Sequence, residues 1–257
     1  MDWTDQGIVL ARRRHGESAA VVSLLTREHG RHAGLVRGGS GKRAAALYQP
    51  GNLLQAHWRG RLPEHLGTLT AELADGFAAR LLDDALRLAA VSSVCALLET
   101  ALAEREPHGA LFEGTLGLLR TLDQATDRMI WAASYVRWEA GCLAEFGFGL
   151  DLESCAATGQ TSDLTYISPR TGRAVSREAG APYADKLFVL PGFLTPGGAA
   201  PSPAAVGEGL RITGHFLERH VLAPHDRHLP PARTRFVERW RRMTTLSSSA
   251  NSPVDSH

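Results

Sequence analysis

Five short β-type runs within the first 75 residues constrain this chain more than any other feature. They cover approximately Gln6–Arg12, Ala19–Thr26, Arg31–Arg37, Asn52–Arg59 and Leu66–Leu73. Each has the length of one strand and is bounded by turn-forming residues such as His15-Gly16-Glu17 and Glu28-His29-Gly30. In the fourth run Leu54, Ala56 and Trp58 share one parity and Gln55, His57 and Arg59 the other, the period-2 pattern of a half-buried strand. In the fifth, Leu69, Ala71 and Leu73 oppose Thr68, Thr70 and Glu72. Five short strands that close on themselves match the strand count of an OB-fold, a barrel whose open face and loops bind oligonucleotides or oligosaccharides. An SH3-like barrel is the competing arrangement.

Charge agrees with a polyanion-binding barrel only when resolved along the chain. The formal net charge is +1 over 257 residues. Residues 1–61 carry 10 Lys and Arg against 4 Asp and Glu, residues 62–204 carry 10 against 18, and residues 205–257 carry 8 against 5. A basic module is thus followed by an acidic one, which points to phosphate contacts on the first. The candidate DNA-binding side chains are Arg12, Arg13, Arg14, Arg37, Lys42, Arg43, His57, Arg59 and Arg61. Arg12-Arg13-Arg14 cannot all point one way on a strand, so they suit a barrel rim. Trp58 shares the apolar parity and is expected in the core rather than at a base-stacking face, whereas His57 and Arg59 point the other way.

The glycine-rich stretch Arg37-Gly38-Gly39-Ser40-Gly41-Lys42-Arg43 resembles a phosphate loop only superficially. Val36 stands where the first glycine belongs, and Arg43 replaces the hydroxyl residue that would hold Mg²⁺. A flexible basic loop between strands 3 and 4 is the expectation. No His-Glu-x-x-His, Gly-x-Ser-x-Gly or paired-carboxylate constellation is present, and the 11 histidines form no cluster. The reading is therefore of a protein that is not an enzyme and needs no cofactor. The run of about 18 apolar residues that spans a bilayer is missing, and the acidic Met1-Asp2-Trp3-Thr4-Asp5 start is unlike a secretory signal. Three cysteines fit a reducing cytoplasm better than a disulfide framework.

Beyond residue 75 the apolar period changes from 2 to that of a helix. Helices are expected from Gly76 to about Arg105, Ala110 to Leu122, after Asp123 towards Gly147 with Asp127 available near the N-terminus, Ala204 to Val221, and Pro231 to about Met243. The domain plan is residues 1–75 as a barrel, 76–245 as a helical domain, and 246–257 as a disordered tail. Trp131, Tyr135 and Trp138 form an aromatic stripe at i, i+4, i+7, and the last helix carries Arg235, Arg239 and Arg242 as candidate secondary DNA contacts.

An irregular segment interrupts the helices. It reads Glu145-Phe146-Gly147-Phe148-Gly149-Leu150-Asp151 up to Cys155-Ala156-Ala157-Thr158-Gly159, then Tyr166-Ile167-Ser168-Pro169-Arg170-Thr171-Gly172 up to Ser176-Arg177-Glu178-Ala179-Gly180. With the Gly7-Ile8-Val9-Leu10 opening and the Gly30-x-x-x-Gly34-x-Val36-x-Gly38 run, this order closely resembles the RecO family of recombinational DNA-repair proteins. The resemblance implies an α+β protein: an N-terminal five-stranded OB-fold barrel, then a mainly helical domain with a zinc-finger-like insertion, here residues 147–192. Many members carry two C-x-x-C pairs in that insertion. In this chain the four positions hold Cys155, Thr158, Ser176 and Ala179, so one thiolate of four remains and no metal is expected.

The resemblance also implies function. A mediator of this family would bind single- and double-stranded DNA and anneal complementary strands. It would work with RecR, and in some systems RecF, to load RecA onto strands coated by single-strand-binding protein, in the cytoplasm at the nucleoid. The C-terminal tail of single-strand-binding protein would dock in a pocket of the helical region, lined or supported by Trp131, Tyr135 and Trp138. A protein adaptor whose barrel does not touch DNA is the alternative.

Overall fold

The computed structural model describes residues 1–62 and 65–249. The first of its two compact units comprises Met1–Gln124 with Pro230–Arg233. Its sheet is a closed barrel in the order β1-β2-β3-β5-β4, built from β1 (Asp2–His15), β2 (Ala19–Thr26), β3 (Arg31–Val36), β4 (Leu53–Arg59) and β5 (Thr68–Asp75). β1 is twice the expected length because it serves two neighbours. Its first half pairs with β4, from Asp2↔Arg59 to Ile8↔Leu53, and its second half with β2, from Gly7↔Thr26 to His15↔Ala19. A register shift between Val9 and Ala11 accompanies the change of partner. The barrel closes through a parallel β3–β5 seam whose single register pair is Leu35↔Thr68. This OB-like closure decides against the SH3-like alternative.

The alternation in β4 is as expected: Leu54, Ala56 and Trp58 are buried, and Gln55, His57 and Arg59 exposed. In β5 the expectation fails after two residues. Leu69 is buried, but Leu73 is 53% exposed, because β5 meets β3 only at its start and its later residues face no second strand on that side. Inside lie Val9, Val22, Leu24, Leu54, Trp58 and Leu69, with Tyr48 from the β3–β4 connection.

That connection is more ordered than a flexible loop. After a turn at Gly38, whose φ is +68°, the chain forms α1 (Lys42–Leu47). Asn52 accepts from the Ala78 amide (3.3 Å) and donates to the carbonyls of Ala46 (3.0 Å) and Leu47 (3.1 Å), so one amide side chain anchors the end of α1.

The expected first helix is two: α2 (Phe77–Arg80) and α3 (Ala85–Ala101). Asp84 makes the break by accepting from the Leu86 and Arg87 amides, both at 3.0 Å, as an N-cap. With α4 (Gly109–Gln124), these helices belong to the barrel's unit, which extends well past the change of periodicity. The Cys95 thiol on α3 donates to the Val9 carbonyl at 3.4 Å, and Ser23 donates to Glu99 at 2.6 Å.

The second unit comprises Ala125–Leu229 and the chain from Thr234. α5 (Arg128–Glu145) starts on Asp127, which accepts from the Met129 amide at 2.8 Å. A small sheet in the order β7-β6-β8 joins β6 (Leu164–Ile167), β7 (Ala174–Ser176) and β8 (Phe188–Val189), with α6 (Arg177–Gly180) between the last two. α7 (Pro203–Phe216), capped by Ser202, passes into a π-helical turn at Leu217–Leu222. α8 (Pro231–Ser249) continues through Leu246–Ser249, which the sequence places in a tail. The remainder of that expected tail, residues 250–257, lies outside the described residues.

The core of this unit is aromatic. Trp131, Tyr135 and Trp138 are at most 7% exposed. Trp131 meets Trp240 edge-on at 6.2 Å, and Tyr135 lies 4.6 Å from Phe236. The buried Glu139 accepts from the hydroxyls of Tyr135, at 3.1 Å, and Thr213.

Candidate nucleic-acid interface

Three of the ten cations in residues 1–61 are neutralised by carboxylates beyond the barrel. Arg13 pairs with Glu99 (3.3 Å), Arg27 with Glu113, and Arg31 with Glu99 (3.6 Å) and Glu104 (3.5 Å). Arg12, Arg14, Arg37, Lys42, Arg43, Arg59 and Arg61 make no ion pair among the described residues. The sequence therefore overstates the positive charge on the side of α3 and α4, and the free cations lie elsewhere.

The structure separates the expected site residues into two groups. The first is at the end of β1. Arg12 donates to the Gly39 carbonyl at 2.8 Å, and Ser40 donates to the Glu17 carbonyl at 3.1 Å, which ties the Arg37–Arg43 segment to β1 and to the β1–β2 turn. A Cβ at Gly39 would lie 2.8 Å from the Cβ of Ala20, so glycine permits this close approach. Arg14, Arg37, Lys42 and Arg43 are exposed around it. The Arg triplet does divide between directions, with Arg12 towards Gly39 and Arg13 towards Glu99.

The second group is where β1 begins and β4 ends. His57, Arg59 and Arg61 are exposed there. His57 lies 3.2 Å from Asp2 and 3.1 Å from the Thr4 hydroxyl, and the Met1 amino group donates to the Gly60 carbonyl at 2.6 Å. Trp58 is 1% exposed, and its indole N–H donates to the carbonyls of Ala33 (3.2 Å) and Leu66 (3.0 Å). It is a core residue, as its parity predicts.

Sequence reasoning missed the rings beside this second group. Trp3 stacks on His29 at 4.3 Å and on Trp58 at 5.8 Å, while His32 stands edge-on to both indoles. The signal was present, since Trp3 belongs to β1 once that strand is extended to residue 2, but nothing local links residues 3, 29, 32 and 58. His32 is 6% exposed and neither ring nitrogen has a hydrogen-bond partner. Burial, followed by the charges of Arg105 and His29, lowers its pKa to about 4; the His29 backbone pulls upward less strongly and does not reach hydrogen-bond geometry.

In the second unit Arg235, Arg239 and Arg242 are exposed along α8. The aromatic stripe of Trp131, Tyr135 and Trp138 lies inside the core. The finger-like segment keeps part of the geometry of a knuckle. Cys155, 1% exposed, receives the Ser176 amide at 3.2 Å and lies 3.4 Å from the Ser176 hydroxyl. Burial pushes the thiol pKa up, but the donors from Ser176, Thr158 and Ala157 outweigh it and bring it to about 6. Two of the four knuckle positions, Cys155 and Ser176, thus meet through hydrogen bonds. Among the described residues no three His, Cys, Asp or Glu side chains gather as a metal site would require.

Two outcomes follow for this segment. Cys155→Ala leaves the Ser176 amide without its acceptor and should cost about 1–3 kcal/mol, read from urea denaturation. Added zinc or chelator should leave the melting temperature of the wild type unchanged, since a structural metal contributes folding free energy directly; a zinc-dependent rise would refute the reading.

Among the described residues no helix is long and apolar enough to cross a membrane. Residues 1–77 match the family described as Recombination protein O N terminal, and residues 82–229 match Recombination protein O C terminal. A DNA repair protein RecO of Rhodospirillum rubrum is 55% identical over 245 residues, covering 94% of this chain and 97% of the relative. That of Rhodospirillum centenum is 54% identical over 98% of this chain and 100% of its own length, and one from Cereibacter sphaeroides 49% over 93% and 98%. On both domains and over nearly its whole length, this chain belongs to the RecO family of DNA-repair proteins.

Proposed function

We propose that this protein is a non-enzymatic recombination mediator that binds single- and double-stranded DNA through its barrel, anneals complementary strands and helps to load RecA onto strands coated by single-strand-binding protein. The observation that carries this reading is the group of exposed cations on the tied segment Arg37–Arg43, outside the ion pairs that neutralise the other side of the barrel. Side chains that are exposed but mounted on an ordered segment can meet backbone phosphates at low ordering cost and release counterions. Holding two strands on such surfaces reduces their repulsion and favours pairing, with no bond chemistry and no cofactor. RecR, the tail of single-strand-binding protein and, in some systems, RecF are the proposed partners. The exposed arginines of α8 are a second phosphate-contacting surface, and the place of action is the cytoplasm, at the nucleoid.

The test is fluorescence anisotropy with a labelled single-stranded oligonucleotide across a salt series. Combined Arg37→Ala, Lys42→Ala and Arg43→Ala should weaken binding by at least about tenfold and reduce the slope of log K against log salt by about 2. Absence of binding by the wild type even at low salt would reject direct DNA engagement and leave a protein adaptor.

A further inference from the structure

The barrel contains a cavity of about 490 Å³ lined by Trp3, His29, His32, Trp58, Arg105 and Pro107 among others. This is the size of a small-ligand site. Its walls are ordered aromatic surface: Trp3 is nearly parallel to His29 (10°) and to Trp58 (12°), and His32 is nearly perpendicular to both indoles (85° and 76°). Buried polar atoms in proteins are normally hydrogen-bonded, yet both nitrogens of the 6% exposed His32 ring lack a partner. With its pKa lowered to about 4, the ring is neutral and offers one donor and one acceptor.

These features select a class of ligand. A purely apolar guest would leave His32 unsatisfied, and the charged groups of the lining are of both signs, Arg105 against Asp2 and Glu28, so no net charge on the guest is favoured. A flat, neutral heterocycle with donor and acceptor edges suits both the stacking faces and the imidazole. A neighbouring cavity, lined by Met1, Asp2, Arg59, Gly60 and Arg61, shares Met1 and Asp2 with the first and sets two arginines beside it. A heterocycle attached to a phosphate chain would thus find cations next to the ring pocket.

We infer that this cavity takes one unstacked nucleobase of a bound single strand, against Trp3 and with its polar edge towards His32, while the adjoining phosphates lie on Arg59 and Arg61. The inference rests on the proposed DNA-binding function and deepens it, because it adds a contact to the base where the basic segment contacts only phosphate. His29, which lies 3.1 Å from Asp5 and has a 34% exposed side chain, covers one face of Trp3, so a base stacked there takes the place of the His29 ring.

The experiment compares two labelled strands of equal length, oligothymidylate and a fully abasic analogue, on the full-length protein. The wild type should bind the base-bearing strand about tenfold more tightly, the order expected for one stacked base. Trp3→Leu, which removes the stacking face, and His32→Phe, which keeps the ring but removes its polar edge, should each lower that ratio and leave the salt dependence unchanged. Because the ratio is taken on the same protein, partial loss of folded material cancels. A fall in the ratio for either variant supports the pocket. Equal binding of the two strands by the wild type, or a ratio that neither substitution lowers, overturns the pocket and leaves the mediator reading standing. If neither strand binds at low salt, both readings fall.

Discussion

Trp58→Ala should destabilise the barrel by about 4 kcal/mol, within the range for removing a buried tryptophan. The indole does more than fill volume. Its N–H bridges the Ala33 carbonyl of β3 and the Leu66 carbonyl of the β4–β5 loop, across the part of the barrel where β3 and β5 share only the Leu35↔Thr68 pair. Three glycines surround the ring so closely that a Cβ at Gly60 or Gly67 would come within 2.5 Å of it, and one at Gly34 within 3.1 Å. Gly67 also has a φ of +61°, so Gly67→Ala combines backbone strain with a clash and should be damaging as well. Trp58→Phe keeps most of the apolar contact but strands two carbonyls, and an intermediate loss of about 1–2 kcal/mol is expected. Urea denaturation followed by circular dichroism measures all three. A loss below about 1 kcal/mol for Trp58→Ala would show that the seam is held by other contacts.

The second large effect is on acid stability. The pKa of His32 falls to about 4 in the folded protein from 6.5 in the unfolded chain. Between those values the unfolded state binds the proton and the folded state does not, so the folded state loses stability as pH falls. This contribution is fully present above pH 6.5 and is lost progressively towards pH 4, amounting to about 3 kcal/mol for a shift of this size. Acid also weakens carboxylate pairs, so the informative quantity is the difference between wild type and His32→Phe. The variant should be less sensitive to pH in this window, and parallel pH profiles of unfolding free energy for the two proteins would refute the assignment.

The parts of the fold that could be read from the sequence are those where local periodicity coincides with burial. β4 is the clearest: its inward Leu54, Ala56 and Trp58 face the core, and the pattern says so. Asp127 as a helix start and the boundaries of β2 are local in the same sense. Leu73 departs from its expected face because parity sets a face but not whether a neighbouring strand covers it. The Arg37–Arg43 segment has the composition of a loop, while its order comes from Gly39, Ser40 and Asn52 bonding to β1, the β1–β2 turn and α1.

The cations of the candidate site were legible one by one, but their charges were not. Arg13, Arg27 and Arg31 are as basic in the sequence as Arg37 or Arg43, and only the placement of Glu99, Glu104 and Glu113 beside them shows that they are neutralised. The ring pocket was not legible, since it joins Trp3, His29, His32 and Trp58 from four places in the chain. Local pattern is enough to place the five barrel strands and the long helices, to divide the chain into basic and acidic parts and, through the order of its motifs, to name the family. Which cations remain unpaired, which rings form a cavity and how Ser176 meets Cys155 come from the folded arrangement. Periodicity and caps depend on residues a few positions apart, whereas charge pairing, stacking and desolvation depend on groups that the barrel brings together from distant parts of the chain.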